Sequence, residues 1–481
     1  TSALAANTTA TENTAVGYAA LTANTTANAN TAVGYRAADA NTTGSANTAV
    51  GSNSLNSNTT GSRLVALGEN TLSNNTTASD NTAVGYRALL ANTTGANNVA
   101  VGANALDAAT TASVNTAVGS NALGATTTGQ QNVAVGANSL DANTTGGDNV
   151  AVGTGALGAN TTATNNTAVG HLALTANTTG AQNTSIGALA MDAHTTGSNN
   201  TSVGYESLGK STTGGGNVAI GRAALLDTTT TSNNVAVGVE ALENNIATGN
   251  TAVGYQSLRN NTTGYGNTAF GLDAGKTTTT GAGNVFIGDI SGGGTNGTTT
   301  GIGNTFVGYQ CESAGTGGNY QIVLGFDLLS VADSTTFTFG RGTGNNRVSN
   351  NFDSNASFAR VSDQRYKDEI LDNTDCGLDF INALRPITYK WRAKSDIDSS
   401  LPDYDAEITE RQHDTKLYGL IAQEVKEALD DNGITDFGGW TQEEGSGIQG
   451  ISQEMFVHPL IKAVQELSAK VEELESRLNG E

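Results

Sequence analysis

The motif Asn-Thr-Ala-Val-Gly, with small variations, closes on a glycine every 17 residues from Gly17 to Gly238. A 16-residue step then leads to Gly254, and Gly271 and Gly288 follow on period. A 20-residue step reaches Gly308, and Gly325 closes the sequence QIVLG 17 residues later. A fixed period this short excludes an ordinary globule. Each repeat can bury its apolar face only against its neighbours, so the repeats must stack as coils.

With the closing glycine as position 0, the coil reads Asn at −4, Thr or Val at −3, Ala or Ser at −2 and a large apolar residue at −1. Ala follows at +3, Leu at +4 and Asn-Thr-Thr-Gly from +7 to +10. Alternation over −3 to −1 predicts a short strand, with the small residue at −2 allowing close backbone approach. The stretch from +1 to +4 reads as a second short strand. The glycine at 0 and the Asn-Thr-Thr-Gly run are turn chemistry, since Gly and Asn tolerate positive φ. Two strands and two turns make one coil of a narrow β-roll. About 20 coils at ~4.8 Å spacing give a rod on the order of 95 Å long.

Composition supports a thin coil. Only 5% of the 481 residues are aromatic, and no proline precedes Pro386. The expected core is Ala, Val and Leu, with further burial between chains. The net charge of −22 argues against nucleic acid and against anionic membrane surfaces as partners. No apolar run approaches the roughly 18 residues of a transmembrane helix, so no membrane insertion is expected. The two cysteines, Cys311 and Cys376, are expected to be free thiols, consistent with a reducing cytoplasm. The sequence opens inside a repeat, and a further N-terminal attachment region is expected upstream.

Other readings of the repeat fare poorly. Thr at +8 and +9 are adjacent and would point to opposite faces, which does not suit an ice lattice. The Asn-Thr-Thr triplets fit the N-glycosylation pattern, but turn and ladder roles explain them better. Calcium-binding nonapeptides are absent. His171, His194, His413 and His458 form no metal-ligand spacing, and no metal or cofactor is expected.

The coil resembles the head repeat of YadA-like trimeric autotransporter adhesins, whose Ser-Val-Ala-Ile-Gly-x-x-Ala pattern is matched by NVAVGANAL, NTSIGALAM and NVAIGRAAL. The resemblance covers residues 1–325 and implies a left-handed trimeric β-roll. The period departs from the family's, which runs near 14 residues. It leaves a bacterial cell-surface adhesin as the alternative reading. Such a protein would carry a C-terminal membrane-anchor barrel, where this chain has an acidic soluble segment.

After residue 325 the repeat decays into a Ser-, Asn- and Gly-rich neck, 326–361, with strand-like pieces such as TTFTFG. At Ser362 the composition changes. Both tryptophans and all three prolines lie beyond it, with 26 acidic and 12 basic residues, a net −14. GLDFINAL (377–384) reads as a helix ending at Arg385-Pro386. ITYKW (387–391) and the stretch from Tyr418 to Ile421 read as strands around a polar, acidic insert at 393–415. AQEVKEAL (422–429) reads as a helix. A long helix follows over 453–478, with Val457, Leu460, Val464, Leu467, Val471, Leu474 and Leu478 in alternating steps of three and four. That heptad seam predicts a coiled coil, though Leu and Val at these positions do not settle the number of strands.

The ordered motifs SDQRYK, LRPITYKW, YGLIAQEV and HPLIKAVQEL resemble the intramolecular chaperone domain of phage tailspikes and tail fibres, the S74 peptidase family found in endosialidases. The resemblance covers 362–481. It implies a trimer that templates folding of the fibre upstream and then separates from it by single-turnover autoproteolysis. By motif, the nucleophile is Ser362 and its base is Lys367. Serine needs a base to take its proton, and lysine serves only when neutral. Burial and a nearby positive charge lower its pKa, and Arg365 is placed to supply that charge. Ser362 and Lys367 are awkwardly spaced on a regular strand or helix, so the segment must bend or the pair must meet across subunits.

The expected fold is therefore mainly β: a homotrimeric parallel β-roll or solenoid with 17-residue coils, then a small α+β chaperone domain ending in a long coiled-coil helix. The divisions are 1–325 (shaft), 326–361 (neck), 362–456 (chaperone domain) and 457–481 (coiled-coil helix). The expected function is host-surface attachment as part of a phage tail, in a protein assembled in the bacterial cytoplasm and resident in the virion. Its partners would be two further copies of itself, other tail proteins through an N-terminal region, and a host-surface glycan or protein receptor. A chain whose purpose is self-cleavage alone does not account for so long a rod.

Overall fold

The computed structural model describes residues 2–294, 299–330, 335–342, 346–351, 359–360, 368, 370–401, 404–411, 416–443 and 447–480. The chain divides into two compact units, Thr1–Tyr366 and Lys367–Glu481.

The first unit is a parallel β-solenoid. Eighteen three-residue strands run from β1 (Thr14–Val16) to β18 (Thr305–Val307), and β19 (Ile322–Phe326) continues them. Each pairs with the next in parallel, one period apart, as in Thr14↔Thr31, Ala15↔Ala32 and Val16↔Val33. The 16-residue step is absorbed without breaking the ladder, since Val235 pairs with Thr251. The 20-residue step is absorbed likewise, with Val285 opposite Thr305. Parallel stacking continues past residue 325 through β20 (Thr336–Arg341). Two antiparallel strands, β21 (Arg347–Asn351) and β22 (Ala359–Arg360), then close the sheet.

The glycine at position 0 is fixed by both conformation and space. Gly34 has φ +141, and a Cβ there would lie 2.7 Å from the carbonyl carbon of Gly51 in the next coil. No other residue tolerates both.

Only one of the two strands expected per coil forms. Residues +1 to +4 are turns, with left-handed backbone at +2 and +4, as at Arg36 (φ 53) and Leu55 (φ 53). The reason is burial. Ala20 and Leu21, at +3 and +4, are both fully buried. A strand would send consecutive side chains to opposite faces. A left-handed leucine costs about 1–2 kcal/mol, and burying its side chain returns about 1.5–3 kcal/mol. The arm still bonds to both neighbours: Arg36 N–H donates to Tyr18 O at 2.8 Å and Ala38 N–H to Ser54 O at 2.9 Å.

The core is also narrower than expected. It is built from Ala at −2 and +3 and Leu at +4, including Ala32, Ala49, Leu55, Leu89 and Leu106. The apolar residue at −1 is not part of it. Strand parity that turns Ala inward turns Val outward, and Val50, Val135, Ile186, Ile220, Phe270 and Ile287 are exposed.

Asparagine does more than make turns. The asparagines at −4 form a buried column, interrupted at Leu64, in which Oδ1 accepts the backbone N–H of its counterpart one coil on, as Asn98 N–H to Asn81 Oδ1 at 2.8 Å. Nδ2 groups of the column cap carbonyls, as Asn98 Nδ2 to Ala112 O at 2.9 Å, with Asn30 Nδ2 an exception. A second column at +7 links side chain to side chain, with Asn58 Nδ2 donating to Asn41 Oδ1 at 2.8 Å. From Asn24 onward the asparagine of each described Asn-Thr-Thr triplet in this column is buried, which removes it as a glycosylation acceptor in the folded coil, while Asn7 in the first coil is half-buried.

The second unit is a small α+β fold. α1 (Leu378–Ala383) leads to β23 (Ile387–Tyr389), which pairs antiparallel with β24 (Leu417–Gly419). α2 (Ala422–Asp431) follows, then a hairpin of β25 (Trp440–Gln442) and β26 (Gln449–Ile451) that the sequence reading did not anticipate. A 3-10 turn over Gln453–Phe456 runs into the 23-residue helix α3 (Val457–Asn479). Phe380 anchors the core, with Phe437 edge-on at 5.6 Å and Phe456 stacked at 6.3 Å. Val425, Ala428, Leu429 and Ile434 complete it.

Candidate functional site

Ser362, Arg365 and Lys367 lie outside the described residues, as does His413. The other three motif segments are described, and the fold brings them together. LRPITYKW forms the exit from α1 and β23. YGLIAQEV forms β24 and the first turn of α2. HPLIKAVQEL forms the first half of α3.

Their residues meet around two hollows. One, of about 190 Å³, is lined by Ile381, Leu384, Pro386, Leu420, Phe456 and Leu460. Three motif segments contribute to that apolar surface. The other, of about 550 Å³, lies over β23 and β24, where Ile387, Tyr389 and Trp391 share one face beside Gln449 and Gln453. Tyr389 and Trp391 pack edge-to-face at 5.5 Å.

Polar contacts hold these segments in place. Arg385 Nε donates to Glu424 Oε2 at 3.0 Å and its Nη2 to Glu424 Oε1, a forked pair that ties the residue before Pro386 to the first turn of α2. This raises the Arg385 pKa and lowers that of Glu424, each chiefly through that hydrogen-bonded pair. Gly377 has no side chain to cap α1. The Leu378 N–H instead donates to Glu466 Oε2 of α3 at 2.7 Å, which holds the Glu466 carboxyl below its ordinary range. Trp440 Nε1 donates to Gln449 Oε1 at 3.2 Å across the hairpin, and Lys426 sits 5.5 Å over the Trp440 ring.

α3 has two apolar faces. Pro459 and Ala463 are buried against the domain. The heptad residues Val457, Leu460, Val464, Leu467, Val471, Leu474 and Leu478 are 45–89% exposed. A monomeric soluble protein rarely leaves so long an apolar stripe uncovered. His458 is exposed and serves the start of α3. His194 is buried in the shaft's +7 column, with Nε2 2.9 Å from Gly197 O. Among the described residues, no group of three or more His, Cys, Asp or Glu could hold a metal ion, and no helix is long and apolar enough to cross a membrane.

Residues 362–434 match the family model described as chaperone of endosialidase, in the S74 peptidase family. The match spans the segment from SDQRYK through α2. No curated protein and no solved structure matches the chain. With the solenoid upstream, the match fits a fibre- or tailspike-type protein carrying a C-terminal chaperone domain.

Proposed function

We propose that this chain is part of a phage tail fibre in which three copies wind a β-solenoid shaft. The C-terminal domain registers them, drives folding and is then released. The observation that carries the reading is the uncovered apolar surface in both units. Along the shaft it is the row at −1; on α3 it is the heptad seam. Both are stripes rather than patches, as side-by-side association of long elements requires.

Registry is the physical need. Neighbouring coils are nearly alike, so chains could align one coil out of step at small cost. A domain that trimerises first fixes the offset before the shaft closes. Val at a with Leu at d leans toward two strands when a helix pair stands alone. The count of three rests on the resemblance of the coil and of the C-terminal motifs to trimeric families, not on the seam. Release would proceed by attack of the Ser362 hydroxyl on a flanking peptide carbonyl, with Lys367 taking the hydroxyl proton and passing it to the departing amine as the C–N bond breaks, and water then hydrolysing the Ser362 ester; Arg365 would hold that lysine neutral before attack. The shaft would remain in the virion tail for attachment to a host-surface glycan or protein.

Light scattering on the full chain should give three chain masses; a monomer or dimer overturns the assembly. A denaturing gel should show a shaft band and a released domain in the wild type, and one full-length band for Ser362→Ala. If both stay full length, self-cleavage is wrong and the chaperone acts without release.

A further inference from the structure

The uncovered seam of α3 carries a direction as well as an apolar surface. With Val457, Val464, Val471 and Leu478 at a and Leu460, Leu467 and Leu474 at d, the e positions are Ile461, Ser468 and Glu475. The g positions are Ala463, Lys470 and Arg477. Lys470, Glu475 and Arg477 are exposed beside the seam. The flanks thus differ in sign: every charged g residue is basic, and the charged e residue is acidic.

We propose that the α3 helices of neighbouring copies run parallel and in register, with Lys470 of one copy paired to Glu475 of the partner subunit. The inference rests on the oligomeric reading above and adds the alignment. In a parallel pair, each g residue faces the e residue five positions further along the partner, which sets Lys470 against Glu475. In an antiparallel pair g faces g and e faces e. Lys470 and Arg477 would then meet only Ala, Lys or Arg, and Glu475 only Ile, Ser or Glu. A slip of one heptad places Arg477 opposite Glu475 but removes two of the seven apolar layers. Charge and seam therefore agree on one alignment. In the first half of α3 the g flank is already committed to the domain, through Pro459, Ala463 and the Glu466 bond to Leu378, and the pairing lies beyond it at Lys470.

Leu478→Cys in the full chain tests the alignment. Leu478 is 89% exposed near the end of α3, so the change leaves folding intact. In-register parallel helices bring the introduced thiols within disulfide reach. Antiparallel helices separate them by roughly 30 Å, since a helix rises ~1.5 Å per residue, against a Cα separation of about 4.4–6.8 Å in a disulfide. The expected result is a linked pair on a non-reducing denaturing gel after oxidation, above the parent chain that carries only Cys311 and Cys376. The band is readable whether or not the domain has left the shaft.

Lys470→Glu alone and Glu475→Lys alone should each lower the linked yield at limiting concentration. An exposed pair is worth a factor of about two, and three such pairs roughly tenfold. The double exchange should restore the yield to near the Leu478→Cys level. An oligomer by light scattering with no Leu478→Cys linkage overturns the alignment and leaves the assembly standing. Linkage that neither charge reversal lowers overturns the Lys470–Glu475 pairing. A monomer overturns both the alignment and the assembly.

Discussion

Glu466 on α3 accepts the backbone N–H of Leu378 at 2.7 Å, across 88 residues of sequence. The first turn of α1 has orphan N–H groups and no capping side chain of its own, so a carboxylate from another helix supplies the cap. The contact joins the helix that carries the apolar seam to the start of the described fold of this unit. It also makes the position of α3 sensitive to protonation.

The first prediction follows from the sign of that coupling. The Glu466 carboxyl is held below its ordinary pKa, chiefly by the Leu378 N–H. Its contribution is therefore fully present above the unfolded pKa of about 4.3, and is lost as pH falls through the lower folded value. Both tryptophans lie in this unit, so their fluorescence reports its unfolding alone. Denaturant midpoints should fall between pH 5 and 3 in the wild type and fall less in Glu466→Gln. Parallel pH curves for the two proteins would rule out the cap.

The +7 column predicts a stabilising substitution. Asparagines there pass a hydrogen bond from coil to coil, and the donor always comes from the following coil. At Ala109 the column breaks, and the Asn92 Oδ1 below it is buried without a hydrogen-bond partner among the described residues. Ala109→Asn would place an Nδ2 one period above Asn92. A hydrogen bond to an otherwise orphaned buried acceptor is worth about 1 kcal/mol. Thermal unfolding of the shaft followed by far-UV circular dichroism should shift upward. A lower midpoint would mean that the coil at Ala109 has no room for the amide.

His194 interrupts the same column and predicts an acid response. Its ring takes the asparagine's place, with Nε2 2.9 Å from Gly197 O and Nδ1 3.3 Å from Ser211 Oγ, and burial lowers its pKa. A depressed folded pKa means that the unfolded chain binds the proton more readily. Shaft stability from this site is present above pH ~6.5 and declines as pH falls toward the folded value. Asn177 Oδ1, one coil earlier, is also left without a partner. His194→Asn should therefore flatten the stability curve between pH 6.5 and 5 and raise its level. Equal pH dependence in the variant would show that protonation of His194 is not coupled to folding.

These contacts mark the limit of what the sequence makes readable. The period, the strand at −3 to −1, the glycine at 0 and the elements α1, β23, β24, α2 and α3 follow from residue pattern, because each is a local demand. The parity of the strand does not. Alternation at Thr48, Ala49 and Val50 states that one side differs from the other without stating which side is inside. The answer depends on Leu55 reaching across a coil too thin for two large residues. The second strand fails for a related reason: Ala20 and Leu21 are both needed in the core, and only turn geometry buries neighbours together. Near the end of the shaft the sequence shows a trade that only coordinates explain. Phe286 replaces Ala at −2, and Gly275 replaces Leu at +4, where a Cβ would lie 2.6 Å from Phe286 Cδ2. In the second unit, motif order indicated which segments belong together. The cap from Glu466 and the hairpin at Trp440 have no local signature, since each depends on a partner distant in sequence or on mixed polar residues without alternation.

The outward row at −1 separates coil stability from assembly, and this yields the last prediction. Ile186 is 41% exposed and its neighbour Ser185 is buried, with Oγ donating to Ala190 O at 2.8 Å. A lysine at 186 leaves the coil's own core untouched, and surface changes of that kind stay within about ±0.5 kcal/mol. Placed between chains, the same lysine would bury a charge without a partner, which costs several kcal/mol. Ile186→Lys should then keep the far-UV spectrum of a folded coil while lowering the mass by light scattering or the thermal midpoint of the assembly. Thr179→Lys, on the exposed +9 turn of the preceding coil, serves as the control and should change neither. If both variants behave like the wild type, the −1 row faces solvent in the assembled protein. If Thr179→Lys alone disrupts assembly, the chains meet through their threonine turns.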